Sequence, residues 1–398
     1  MDSPPAELET LVERYDSTVF DPARECARIR LQGCGRQSWD VVFEEGGPYL
    51  DPSDPDRRAD ASITADEGTW KTLANDLASG MAAYRTGRLA VRRDLHLGAG
   101  FLAATAAEQG PGRLRFHHVK TPGAEISVME AGEGPPVLLL HGLGATKASF
   151  LPTVAALAKS HRAIAIDLPG FGDSDKPLLA AYDPAFFARS GVALLDALGI
   201  EQADVVGNSM GGRAALEMGL SAPQRVGRLV LLTASLAWLR GRPWAAPLRL
   251  VAPQLGLIQP APRPIIEGLV RRLVPTQGSE WTAAGVDEFL RSYLSPRGRS
   301  AFYAAARNIY LESPWGENGF WTRLPQLEAQ SLFVWGSRDA IVPIGFARHV
   351  HDALPGARHL VLDCGHVPQM ERPEETHRAM LSFLAGRRVG RSAVPLAA

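Results

Sequence analysis

Two hydrophobic rhythms divide the chain. Up to about residue 106, short alternating stretches at 27–31, 40–43 and 61–64 predict strands with one face in water. A helix over 67–78 is expected next, carrying Trp70, Leu73 and Leu77 on one side. A second, apolar helix is expected through Phe101 and Leu102. Beyond the Gly/Pro interruption at 106–113 the pattern changes. Continuous apolar runs at 137–140, 163–166, 205–206 and 229–232 are separated by helical spacing at 150–158, 184–198 and 214–220. Such runs suit strands buried on both faces, and their alternation with helices predicts an α/β class with a mostly parallel sheet. The rhythm stops between about 234 and 328, in a stretch rich in Pro, Trp and aliphatics that includes Trp238, Leu255, Ile258, Ile265, Phe289 and Tyr293. It resumes with a strand at 332–335, a helix at 346–354 and a strand at 360–362. The expected division is therefore a smaller α+β domain over 1–106, a linker at 107–113, an α/β domain over 114–387 with an inserted cap at 234–328, and a tail at 388–398.

Length and composition agree with two packed domains: 398 residues, 45% of them hydrophobic and 21% charged. A formal net charge of -1, with Lys and Arg scattered, excludes nucleic acid as an expected partner. Cys26, Cys34 and Cys364 are too few for a disulfide framework and read as reduced thiols of a cytoplasmic protein. No apolar run is long enough to cross a bilayer, so stable membrane insertion is not expected. Arg240, Arg242, Arg271 and Arg272 stand beside the cap aromatics, where a solvated helix face is the plainer reading. The pattern leaves the oligomeric state open.

The candidate chemistry lies where strands end. Gly207-Asn208-Ser209-Met210-Gly211-Gly212 follows the run at 205–206 and precedes a helix. A sharp strand-to-helix turn tolerates only small neighbours around a protruding serine, which accounts for Gly207 and Gly211 and makes Ser209 the candidate nucleophile. The helix N-terminus would direct the Met210 backbone N–H at a developing oxyanion. His141-Gly142-Leu143-Gly144 leaves the run at 137–140, and the Leu143 N–H is the expected second donor. His141 reads as a residue that fixes this loop rather than as the base; it and Asn208 are expected beside the substrate. The base and its carboxylate should follow in the order acid, then histidine. Asp339 in Gly336-Ser337-Arg338-Asp339 and His366 in Asp363-Cys364-Gly365-His366 both leave strand ends in that order. Asp363 is the alternative acid, and a helix-capping turn is the alternative role for Asp339. His117, His118, His349 and His351 read as surface or filler residues. These roles need neither a metal nor an organic cofactor.

These residues carry a resemblance. HGLG at His141, DLPGFGDSD from Asp167, GNSMGG from Gly207, WGSRD from Trp335 and CGH at Cys364 resemble the α/β-hydrolase family over about 114–387. The resemblance implies the hydrolase fold with a helical cap over the active site, lined by the apolar residues of 234–328. GNSMGG and CGH also resemble the subgroup that cleaves carbon–carbon bonds in ring-fission products. The serine separates the chain from the dehalogenases and epoxide hydrolases, which carry Asp at the elbow. At the N-terminus, ITADEGTWKTL and GRLAVRRD resemble the sterol carrier protein family, which implies a lipid-holding fold. Together they imply a serine hydrolase acting on a small apolar acyl or lipid substrate, an ester or thioester. Carbon–carbon cleavage, acyl transfer and lipid binding without catalysis are the alternatives.

Overall fold

In a computed structural model of the chain, the described residues are 3–22, 26–33, 37–73, 83, 87–106, 110, 112–239, 250, 252–259, 262–273 and 280–387. The N-terminal part runs α1 (Ala6–Glu13), β1 (Arg28–Gln32), β2 (Trp39–Glu44), β3 (Gly47–Pro52), β4 (Ala61–Ala65), α2 (Glu67–Leu73), β5 (Leu89–Arg92) and α3 (Leu95–Ala104). Its sheet has the order β3-β2-β1-β4-β5, with only the β1–β4 pair parallel. The three expected strands are present, but β2 is buried on both faces from Trp39 to Phe43 instead of keeping one face in water. Two more, β3 and β5, were not marked by alternation: β3 has no fully buried residue and β5 is four residues long. Helix α3 opens on Asp94, whose side chain accepts from the Leu97 N–H, and buries Leu97, Phe101 and Ala104.

The second part continues with β6 (Arg115–Lys120), β7 (Glu125–Ala131), β8 (Pro136–Leu140), α4 (Leu151–Leu157), β9 (Arg162–Ile166), α5 (Pro184–Ala197), β10 (Ala203–Asn208), α6 (Met210–Ser221) and β11 (Val226–Leu232). Then come α7 (Arg263–Leu273), α8 (Glu280–Tyr293), α9 (Pro296–Leu311), α10 (Phe320–Arg323), β12 (Gln330–Gly336), α11 (Phe346–Ala353), β13 (Arg358–Leu362), α12 (Pro368–Glu371) and α13 (Pro373–Leu384). The eight strands have the order β13-β12-β11-β10-β8-β9-β7-β6. From β13 to β9 every pair is parallel, and β7 and β6 add an antiparallel edge. The α/β class expected from the apolar runs is the class observed.

The register explains where chemistry gathers. Leu140 pairs with Gly207, Asn208 with Leu232, Leu232 with Val334, and Gly336 with Leu362. The carboxyl ends of β8, β10, β11, β12 and β13 therefore form one rim, and the loops bearing His141, Ser209, Thr233, Asp339 and His366 all leave from it. The central strands hold it rigid: Val137 to Leu140 and Leu229 to Leu232 are fully buried. Each such aliphatic side chain is worth about 1.5–3 kcal/mol of burial.

Between β11 and β12 the insertion carries α7, α8 and α9, so the cap is helical. Its apolar residues divide into two sets. Phe289, Tyr293 and Phe302 pack as a cluster with ring centroids 5.2–5.7 Å apart. Leu255, Ile258 and Ile265 are instead 51%, 80% and 61% exposed, which corrects the expectation that they line a pocket. Helical spacing marks a face; it does not say which way that face turns. Arg240, Arg242, Cys34, the expected helix beyond Leu73 with Leu77, and the tail at 388–398 lie outside the described residues, as do the side chains of Arg271 and Arg272 and parts of the linker.

The two parts are packed on each other. Phe116 at the start of β6 meets Phe20 and His96 edge to face, and its N–H donates to the Val19 carbonyl at 2.8 Å. A single buried apolar cluster includes Phe20, Phe101, Phe116 and Leu139.

Candidate active site

Ser209 stands between β10 and α6 with φ 53° and ψ -117°, a conformation unfavourable for an L-residue. The neighbours hold it there. The Ser209 N–H donates to the Leu232 carbonyl at 3.0 Å, and its own carbonyl accepts from Ser235 and Arg213 N–H at 2.9 and 3.1 Å. A side chain at Gly211 would collide with the Leu140 carbonyl, so the first turn of α6 lies flat on β8. Strain at one residue, retained by surrounding bonds, is the arrangement expected of a functional turn.

The N–H groups of Leu143 and Met210 have no hydrogen-bond partner among the described residues. Met210 begins α6, where the first N–H groups lack intrahelical acceptors, and a Cβ on neighbouring Gly142 would lie 3.2 Å from that of Ser209. Two free donors thus flank the serine.

His366 Nδ1 lies 2.8 Å from Asp339 Oδ2, the carboxylate being fully shielded from water. Three further groups immobilise the histidine. Thr233 Oγ1 donates to the His366 carbonyl at 2.7 Å, and Asn208 Nδ2 donates to the same oxygen at 3.2 Å. The Glu371 carboxylate accepts the N–H groups on either side, Gly365 at 2.8 Å and Val367 at 3.0 Å. Because Asn208 precedes Ser209, its amide ties the histidine loop directly to the serine turn. Thr233 and Glu371 were not singled out from sequence. Their only signals were a threonine at the end of an apolar run and an acid five residues beyond His366.

The two residues expected beside the substrate are both buried. Asn208 is 4% exposed and its Nδ2 is spent on the Leu232 carbonyl, Thr233 Oγ1 and the His366 carbonyl. His141 is fully buried. Its Nε2 accepts the Leu168 N–H at 2.9 Å, so Nδ1 carries the proton and donates to the Gly142 carbonyl at 2.8 Å. Burial lowers its pKa and keeps the ring neutral. Both residues brace loops. Asp363, the alternative acid, is exposed and paired with Arg338 at 2.9 Å. Cys364 is no competing nucleophile, since burial pushes its thiol up to about 12.

A family model described as alpha/beta hydrolase fold matches residues 135–373. The chain belongs to the α/β-hydrolase family. Its N-terminal domain matches the SCP-2 sterol transfer family over residues 8–103. Among curated relatives of this hydrolase, one from Pseudomonas putida is 33% identical over 295 residues, covering 71% of this chain and 73% of the relative. It is named the dihydrolipoyllysine-residue acetyltransferase component of an acetoin cleaving system. Another, from Paraburkholderia xenovorans (strain LB400), is 31% identical, covers 70% of this chain and 93% of the relative, and is named a 2-hydroxy-6-oxononadienedioate/2-hydroxy-6-oxononatrienedioate hydrolase. A solved structure of a bacterial membrane phospholipase A superposes with TM-score 0.55 at 29% identity, covering 78% of this hydrolase and 90% of that chain. No helix among the described residues is long and apolar enough to cross a membrane.

Proposed function

We propose that this hydrolase cleaves an apolar carboxylic ester or thioester through an acyl-enzyme, with Ser209 as nucleophile, His366 as base, Asp339 as its orienting carboxylate, and the Leu143 and Met210 N–H groups as oxyanion donors. The reading rests above all on the bond between His366 Nδ1 and Asp339, which leaves Nε2 as the proton acceptor. His366 takes the Ser209 proton as Oγ bonds to the carbonyl carbon. The charge collects on the carbonyl oxygen between the two N–H donors. Collapse breaks the bond to the leaving oxygen or sulfur, which receives the proton from His366. Water, deprotonated by the same histidine, then releases the acid and restores Ser209. Each oxyanion donor is worth about 2.7–4 kcal/mol, and proton transfer about 10²–10⁴-fold.

An uncharged acyl group is favoured by the pairing of four described cations of the hydrolase domain and its cap. Lys147 is held by Asp167, Arg213 by Glu217 and Glu312, Arg291 by Asp173 and Glu288, and Arg299 by the Gly256 and Leu294 carbonyls. A dicarboxylate such as the one named for the Paraburkholderia relative would need counterions, and these four described cations already have partners of their own. That relative's 31% identity nevertheless favours carbon–carbon cleavage as the second reading.

The test is turnover of p-nitrophenyl esters from acetate to palmitate by wild type and Ser209→Ala. Activity that rises with chain length and vanishes in the variant is expected. A wild type inactive on every ester but active on a vinylogous diketone would replace the first reading with the second.

A further inference from the structure

Helix α8 has two working faces. At about 100° per residue, Asp287, Glu288 and Arg291 share one side, and Phe289 and Tyr293 share the opposite side. The first side meets the N-terminal domain. Asp287, 5% exposed, accepts Arg92 Nε at 2.8 Å and the Arg93 N–H at 2.9 Å, and it also pairs with cap residue Arg263 at 3.1 Å. Arg93 has φ 72°, an unfavourable backbone angle that aims its N–H at this carboxylate. Next along the helix, Arg291 is shared by Asp173 at 2.6 Å and Glu288 at 2.6 Å, and it lies 3.7 Å from Asp94 of the N-terminal domain.

The second side meets the oxyanion loop. Gly144 has φ 74°, and a side chain there would run into the Phe289 ring. Lys147, just beyond the loop, reaches the same cluster through Asp167 at 2.6 Å and Asp173 at 3.4 Å. The N-terminal domain and the loop bearing Leu143 are therefore linked twice, once through α8 and once through His96, whose Nε2 lies 3.6 Å from Asp173.

We propose that the N-terminal domain is a fixed positioning module of the hydrolase, with Asp287 as the residue through which Arg92 and Arg93 set α8 against the oxyanion loop. This rests on the catalytic reading above for its effect on rate. A carrier domain that swings out to deliver its ligand would have to break the Asp287 bonds and the Phe20–Phe116 packing. A domain that stays docked keeps Phe289 on Gly144 and so keeps the Leu143 N–H in place. Small displacements of such a donor cost catalysis while leaving apolar substrate binding nearly untouched.

The experiment uses the full chain as wild type, Arg92→Met, Arg92→Lys and Asp287→Asn. Rates on p-nitrophenyl butyrate are normalised to sites titrated by a fluorophosphonate, which removes any loss of folded protein. Hydrogen exchange is followed over residues 140–150. The expected result for Arg92→Met and Asp287→Asn is kcat per titrated site lower by about tenfold, KM within about twofold, and several-fold faster exchange in the loop. Arg92→Lys should recover most of both. Arg92 is 40% exposed in its side chain, so its loss leaves the core intact. Unchanged kcat and loop exchange in Arg92→Met and Asp287→Asn would overturn the proposal. Exchange decides the coupling even in a wild type without ester turnover, in which case only the catalytic reading falls.

Discussion

Asp339 divides its carboxylate between two tasks. Oδ2 lies 2.8 Å from His366 Nδ1, while Oδ1 accepts the Ile341 N–H at 2.8 Å and the Val342 N–H at 3.0 Å. Turn residue and histidine partner, two alternatives on sequence grounds, are both its place in the structure, one oxygen each. Asp339→Asn can keep the turn through its carbonyl oxygen while turning an N–H toward Nδ1, which stabilises the wrong tautomer. The expected kcat loss is about 10³–10⁴-fold with little change in thermal midpoint. Asp339→Ala should lose as much activity and also about 1–3 kcal/mol of stability, because a buried and a half-buried N–H lose their acceptor. Steady-state kinetics beside chemical denaturation of the two variants separates the tasks.

Asn208 gives a second test. A residue in contact with substrate would change KM in a way that depends on the acyl chain. The bonds from its amide to the Leu232 and His366 carbonyls predict something different. Asn208→Ala should lower kcat by a similar factor, about 10–100-fold, across the whole ester series, with KM nearly constant. A chain-length-dependent KM would restore the substrate role.

How far the site could be read from sequence depended on the kind of residue. Ser209, Asp339 and His366 sit beyond the ends of apolar runs, so their common rim follows from strand order and needs no side-chain detail. Thr233, Glu371 and Asp287 could not be found that way, because each matters through a bond to backbone or to a residue far along the chain. The bracing bonds of His141 and Asn208 were hidden for a related reason: a motif fixes which loop a residue occupies, and only the packing shows what its side chain bonds. The exposed Leu255 and Ile258 repeat the lesson in the cap. The edge pair β6–β7 was missed because its outer strand alternates with histidines and lysine and carries little apolar signal.

Arg213 carries a stability prediction. It is 3% exposed in the first turn of α6, bonded to Glu217 at 2.9 Å and Glu312 at 2.5 Å, with its guanidinium 4.6 Å from the Phe320 ring centroid. Arg323 also holds Glu217, at 2.6 Å. Burial disfavours the guanidinium charge, but Glu312 outweighs it and raises the pKa. Arg213→Met removes one partner and leaves a partly buried Glu312 unpaired, which costs about 3–5 kcal/mol. Arg213→Met with Glu312→Gln should recover part of that loss. Urea denaturation of single and double variants measures it.

His96 makes stability depend on pH. The ring lies between the edges of Phe20 and Phe116, with Nε2 3.6 Å from Asp173 and Nδ1 buried without a hydrogen-bond partner. Burial, reinforced by Lys147, lowers its pKa from 6.5 to about 4, against the opposing pull of Asp173. Between those values the unfolded chain binds a proton that the folded protein refuses. Stability is therefore unpenalised above pH 6.5 and falls as pH drops toward 4, by up to about 1.4 kcal/mol per pH unit from this group alone. Asp173 does not titrate in that window, since its cationic neighbours overcome burial and hold its carboxyl well below the usual range. Denaturation of wild type and His96→Phe at pH 7.5, 6, 5 and 4.5 isolates the contribution. The difference between the two proteins should be constant above pH 6.5 and shift steadily against wild type below it; parallel curves throughout would mean that His96 takes up its proton in the folded state as easily as in the unfolded one.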